Sequence, residues 1–299
     1  MLPTRRAFRI FVSSTFNDLR LERNALHRSV FPRLRKLCEE RGAQFHAIDL
    51  RWGISEEASI EQATMAICLN EIARCQRVSP QPNFLLILGQ RYGWRPPPSE
   101  VPGDLFEHML AQLTVSDSER ESARRLLTRF YRRDTNAIPS VYTLVPRRGR
   151  LRSYERWQPI EREIVALLQN AAARLDLDAR QRLPFGASAT EQEAFAGALT
   201  VPTARKHVHV FVRTITGLPF NGQSREFLDV DAQNRPEKQA GIRLEHLKKT
   251  LRKSLGHHVH EYEVRWNDRA KSDVTVRFCC DVYDSFVSVI DWELLVVEY

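Results

Sequence analysis

Along the chain, short runs of consecutive apolar residues alternate with stretches whose apolar positions recur every three or four residues. Residues 8–12 read as a short buried strand. In the stretch that follows, Leu19, Leu26, Val30, Leu34 and Leu37 share one helical face, with Asn17 or Asp18 as cap and Gly42 as stop. Residues 43–48 are a second strand. Ser59 and Gln62 stand at capping-box spacing ahead of a helix that runs to about Cys75, and residues 83–88 form a third, fully apolar strand. The alternation breaks at Arg95-Pro96-Pro97-Pro98. Beyond it, helices are predicted near 104–113, 118–131 and 160–175, with an extended piece at 141–145. The alternation then resumes with a helix at 191–199, a strand at 207–212, a basic helix near 240–255, a strand near 259–264 and a last helix near 281–297. Five βα units at this spacing predict one α/β domain with a parallel sheet, its strands laid down in sequence order, and a large helical insertion at 95–187. The apolar final helix lacks a Gly or Pro stop, which leads us to expect that residues 265–299 lead into a further module of a longer protein.

Composition narrows the class. At 299 residues and 42% apolar, the chain can bury a sizeable core. Its N-terminus has no apolar stretch of signal-peptide length, and Phe84-Leu85-Leu86-Ile87-Leu88 is only strand-sized, so a cytoplasmic protein that does not enter a membrane is expected. Five cysteines without a C-x-x-C pair read as buried thiols rather than a disulfide framework or zinc ribbon. The nine histidines show no metal-ligand frame. The net charge of +8 sits in one place: residues 120–156 carry eleven arginines against Glu121, Asp134 and Glu155. Few aromatic residues interleave with those arginines, so a solvated basic surface is expected and nucleic acid is not the expected partner.

The strings FRIFVSSTFNDLRLERNAL, IDLRWG, CLNEIARC, FLLILGQRYGWRP, YTLVP and SATEQEAFAGAL together resemble the TIR-like domain of unknown function at the N-terminus of NACHT-type and related STAND ATPases, among them nephrocystin, telomerase-associated protein and bacterial defence proteins. The resemblance is strongest over residues 8–95. It implies a flavodoxin-like five-stranded parallel sheet flanked by helices, in agreement with the alternation above. It also implies an effector or signalling domain of an NLR-like protein that pairs with copies of itself, with ATPase and sensor modules elsewhere on the protein. Neither G-x-x-x-x-G-K-[ST] nor G-x-G-x-x-G occurs here, so any ATPase activity lies outside these residues.

TIR domains that cleave NAD place a glutamate on the helix after the third strand, near the loop after the first. Breaking the nicotinamide–ribose bond develops positive charge on the sugar, which a carboxylate stabilises without a metal or a cofactor, NAD being the substrate. Two glutamates compete for that role. Glu191 stands at capping-box spacing from Ser188 and has a structural task, whereas Glu193 has none and lies one turn before Gly197, where a missing side chain leaves room. Glu193 is therefore the catalytic candidate. The string from Trp157 to Ile164 looks closer to the usual TIR motif, which makes Glu163 the second choice. Ser13, Ser14 and Thr15 offer hydroxyls and amides to a phosphate or ribose at a helix start. Arg51 and Trp52 occupy the place of the mobile loop after the second strand, suited to a diphosphate and a base, and Arg91 and Tyr92, with Trp94, follow the third strand at the same mouth. The plainer readings are a turn, an arginine–carboxylate pair and aromatic core residues. Glu71, on a helix face with Ile60, Thr64 and Ile67, reads as structural.

Overall fold

A computed structural model describes residues 6–50, 56–79, 81–113, 117–219, 221–231, 233, 235–268 and 272–295. The chain divides into two compact units. One comprises Met1–Trp52, Leu69–Gly93 and Glu193–Tyr299; the other comprises Gly53–Cys68 and Trp94–Gln192.

The first unit is built on a five-stranded parallel sheet of β1 (Ala7–Ser14), β2 (Gln44–Ile48), β3 (Phe84–Leu88), β7 (Val208–Thr216) and β8 (Val259–Arg265). Its order is β2-β1-β3-β7-β8, the flavodoxin-like arrangement, and this corrects the expectation of strands in sequence order. β1 is therefore an inner strand, paired on both edges, which explains its near-continuous burial. One face packs Phe8, Ile10, Val12, Leu85, Ile87 and Phe211 against α1 (Arg20–Ala25), α2 (Phe31–Glu40) and α11 (Ser272–Leu295). A π-helical turn at Leu26–Val30 joins α1 to α2, so the two run on as one helical stretch. The other face carries Phe11 and Phe84, whose rings stack 6.0 Å apart. There Gly197, in the π-turn Phe195–Leu199 after α9 (Ala189–Ala194), lies directly on the Phe84 ring. The space beside Gly197 is thus filled by Phe84, which corrects the idea that it stands open beside Glu193.

The second unit holds helices where the pattern placed them: α5 (Gly103–Ala111), α6 (Asp117–Phe130) and α7 (Tyr154–Ala172). It also contains a three-stranded antiparallel sheet, β4 (Glu100–Pro102), β6 (Val141–Leu144) and β5 (Tyr131–Asp134) in that order, of which only the 141–145 piece was foreseen. Its core groups Phe106, Leu127, Tyr131, Trp157, Ile164 and Leu168. The predicted Ser59–Gln62 cap is replaced by a break. Ser59 lies inside α3 (Glu56–Ile60), Gln62 has φ 60°, and α4 (Thr64–Val78) starts afresh. Among the described residues no helix is long and apolar enough to cross a membrane.

Two histidines, His207 and His209, stand at the amino end of β7. His207 and His209 are buried, and the His209 ring lies 5.2 Å from His258 and 5.1 Å from Phe286, with neither nitrogen hydrogen-bonded. Burial holds His207 down at about 4 and His209 at about 3.

Two expectations follow. The unfolded chain takes up protons near pH 6.5 that these native histidines refuse, so their stability contribution is complete above that pH and shrinks as pH falls toward 4. In denaturant titrations across that window, His209→Phe should flatten the pH slope by up to about 1.4 kcal/mol per pH unit; an unchanged slope would refute the assignment. Gly197→Ala should cost about 1–3 kcal/mol of unfolding free energy, because its methyl meets the Phe84 ring, and Phe84→Leu should recover part of that loss.

Candidate functional site

Sheets of this order bind ligands at the carboxyl ends of the strands, where neighbouring connections leave in opposite directions; here that point lies between β1 and β3. Ser13 and Ser14 are there, but as strand residues rather than a turn. Their partners in the parallel ladder are Leu86 and Ile87, and that pairing keeps the chain extended through Ser14. Their amides therefore do not form a helix start, and α1 begins only at Arg20. Asp18 is not its cap either: the capping position falls on Leu19, and Asp18 turns inward.

Alternation along β1 directs Ser13 to the face of Phe11. There its Oγ donates a 2.6 Å hydrogen bond to Glu193 Oε2, between two buried side chains. Glu193, read from the sequence as a residue without a task, is thus held against the end of the central strand. Ser188 caps α9 as the spacing indicated, its Oγ accepting from the Glu191 amide at 3.2 Å. Ser14 Oγ donates to the Thr15 carbonyl. The second choice, Glu163, is exposed on α7. Within that string the buried carboxylate is instead Glu161, which accepts from Trp94 Nε1, Trp157 Nε1 and the Tyr154 hydroxyl, each at 3.0 Å. Burial raises its pKa, partly offset by those three donors. Arg51 and Trp52 lie outside the described residues.

On the opposite face of the sheet a buried charge cluster lies at the same carboxyl edge, and the sequence reading missed it. Arg213 of β7 donates to Glu22 Oε1 at 2.6 Å and lies 3.8 Å from Asp18 Oδ2. Burial pushes the Asp18 carboxyl up to about 6 despite that guanidinium. Gly89, just past β3, closes over them: a Cβ there would come within 2.5 Å of Asp18 Oδ2. Nearby, Arg23 Nη2 donates to the Val12 carbonyl and lies 3.4 Å from Asp49, which also meets His27 at 3.0 Å. The only sequence hint was the i, i+4 spacing of Asp18 and Glu22, which marks a shared helix side but not its partner on β7.

The loop after β3 is clamped by Asp229. Its carboxylate accepts from the amides of Tyr92 at 2.6 Å and Gly93 at 3.2 Å, and from Arg91 Nε at 3.4 Å. The Tyr92 ring is buried against Ala240 and Leu244 of α10 (Lys238–Leu255), and Arg243 donates to its hydroxyl at 3.3 Å. Tyr92 therefore serves as a packing residue, with no ring face free for a base. Glu71 pairs with Arg9 at 3.1 Å, the structural role its helix position suggested. Among the described residues no three His, Cys, Asp or Glu side chains converge on a metal-sized point.

Sheet order and buried carboxyl edge together define a flavodoxin-like α/β domain. Residues 9–109 match the family described as "Domain of unknown function (DUF4062)", so the chain carries that domain. It is similar to mouse "NACHT domain- and WD repeat-containing protein 1", 31% identical over 66% of this chain and 12% of the relative. Human "NACHT and WD repeat domain-containing protein 2" is 30% identical over 73% of this chain and 13% of its own length. Rat "Telomerase protein component 1" is 30% identical over 74% of this chain and 8% of its own length. The chain therefore spans about an eighth or less of these relatives. No solved structure matches it.

The Asp229 clamp carries its own expectation. Asp229→Ala removes the acceptor of two amides and should lower stability by about 1–3 kcal/mol. Hydrogen exchange at Tyr92 and Gly93 should accelerate well beyond the global change; protection retained at both would show that the clamp is not what holds the loop.

Proposed function

We propose that this chain is a TIR-like effector domain of a NACHT-type protein and that it cleaves NAD at the nicotinamide–ribose bond, with Glu193 as the carboxylate facing the reacting sugar. The observation that supports this most is the buried hydrogen bond from Ser13 to Glu193. It puts a carboxylate from the helical segment between β3 and β7 at the carboxyl end of β1, the position that the TIR resemblance asks for. In the reaction the C1′–N bond breaks and its electron pair leaves with nicotinamide, which becomes neutral. Positive charge develops on the ribose, where Glu193 stabilises it, and water then adds to C1′ and releases a proton, giving ADP-ribose. Ser13 fixes the orientation of the carboxylate and would leave it for the ribose hydroxyls as substrate enters. Because Glu193 is buried, the domain by itself is a closed form, and clustering of copies is the step that opens it.

The competing reading is a non-catalytic domain that docks onto like domains; it is favoured by the packing role of Tyr92, one of the residues expected to face the nucleotide.

The test is NAD consumption, with product detection, by dilute and by artificially clustered protein. Clustering should raise turnover more than in proportion to concentration. Glu193→Gln should lose at least about 100-fold while keeping its thermal midpoint, since the amide cannot offset the developing charge. Exposed Glu163→Gln should retain turnover. Unchanged turnover in Glu193→Gln would remove Glu193 from the mechanism, and clustered protein that leaves NAD intact would favour the docking reading.

A further inference from the structure

The unit formed by residues 53–68 and 94–192 contains a polar cavity lined by, among others, Ser59, Gln62, Trp94, Arg147, Tyr154 and Glu161. The space in it that a water-sized group can reach, about 20 Å³, has room for one small polar group. Arg147 is 7% exposed. Its backbone amide donates to the Ile60 carbonyl and its Nη2 to Ser59 Oγ, both at 2.9 Å, but Nε and Nη1 have no acceptor. The buried amide nitrogen of Gln62 also lacks one, and Gln62 is held there with φ 60°, a left-handed conformation unfavourable for a non-glycine residue. Two buried donor groups thus line one cavity without acceptors, and one of them is a cation.

Glu161 does not supply the missing acceptor. Its two oxygens already take hydrogen bonds from both indoles and the Tyr154 phenol, and it acts on Arg147 only through space. Glu161 neutralises Arg147 in part through space, but Nε and Nη1 remain buried donors without acceptors, which is costly, so the site is built for an acceptor that arrives from outside. The neighbouring Glu161 disfavours a doubly charged group such as a phosphate monoester, and the small volume suits a planar head. Trp94 and Tyr154, 37% and 45% exposed, add flat apolar surface beside the cavity.

We propose that this cavity binds a small aromatic carboxylate, with the carboxylate on Arg147 and Gln62 and the ring against Trp94 and Tyr154. The inference uses residues of a single unit and is independent of Glu193.

The test is titration of the full chain with benzoate, followed by tryptophan fluorescence and calorimetry. Benzamide serves as the neutral counterpart, acetate lacks the ring, and phenyl phosphate carries the larger, more highly charged head. Benzoate should bind at least about tenfold more tightly than the other three, the margin of one charge-assisted hydrogen bond. Arg147→Gln should abolish that preference, and Arg147→Lys should keep part of it. If Arg147→Gln fails to fold, the benzoate–benzamide comparison on the unaltered chain decides alone. Equal binding of benzoate and benzamide, no binding of benzoate, or an unchanged affinity in folded Arg147→Gln would overturn the proposal and leave a hydrated arginine.

Discussion

Arg213 rises from β7 between two buried carboxylates, Glu22 and Asp18, at the sheet's carboxyl edge. Its contacts with Glu22 and Asp18 tie the fourth strand in the sheet to the segment that follows β1, and Tyr262 of β8 reaches Glu22 at 3.5 Å from the next strand. Desolvating three charges is expensive, and such a cluster is weak evidence for net stability; removing one member, however, leaves an uncompensated buried charge, at a cost of about 3–5 kcal/mol. The cluster acts as a constraint on geometry. It ties the segment after Ser14 to β7, and Gly89, just past β3, passes close over its Asp18. The edge that holds Ser13 and Glu193 is shaped on its other face by this ionic contact.

Much of the architecture was legible because parallel sheets write themselves as apolar runs. All five strands of the main sheet were located within a few residues: β1, β3 and β7 are buried on both faces or nearly so, while the edge strands β2 and β8 bury few positions and were placed by their alternation with helices. Strand order was not legible: hydrophobic periodicity says which residues face a core, not which strand is the neighbour. Of the small sheet only β6 was read as extended; β4 and β5 escaped because strands of three or four residues carry too few alternations, and β5 spends three of its four positions on exposed charges.

The candidate site was legible in part. Glu193 and Ser13 were singled out separately from sequence, and their hydrogen bond emerges only once the third sheet strand and the helix before β7 are in place. Glu163, the second choice, stands exposed on α7, and the buried carboxylate of the same string lies two residues away at Glu161. Tyr92 and Asp18 show the limit of reading polar residues as ligands or caps. Both are turned inward by partners more than a hundred positions away, Asp229 and Arg243 for the one and Arg213 for the other. The relatives add context rather than chemistry: residues 9–109 match DUF4062, and the chain is similar to NACHT and WD repeat proteins.

On the proposed function, the carboxyl edge between β1 and β3, where Ser13 meets Glu193, is the face that meets a nucleotide. Backbone-amide chemical-shift mapping during titration with NAD tests this without depending on turnover. Saturable shifts should concentrate at Ser13, Ser14, Gly89 and Glu193 and disappear from that set in Glu193→Gln. Shifts confined to the amino edge around His207 and His209, or none that saturate, would contradict it.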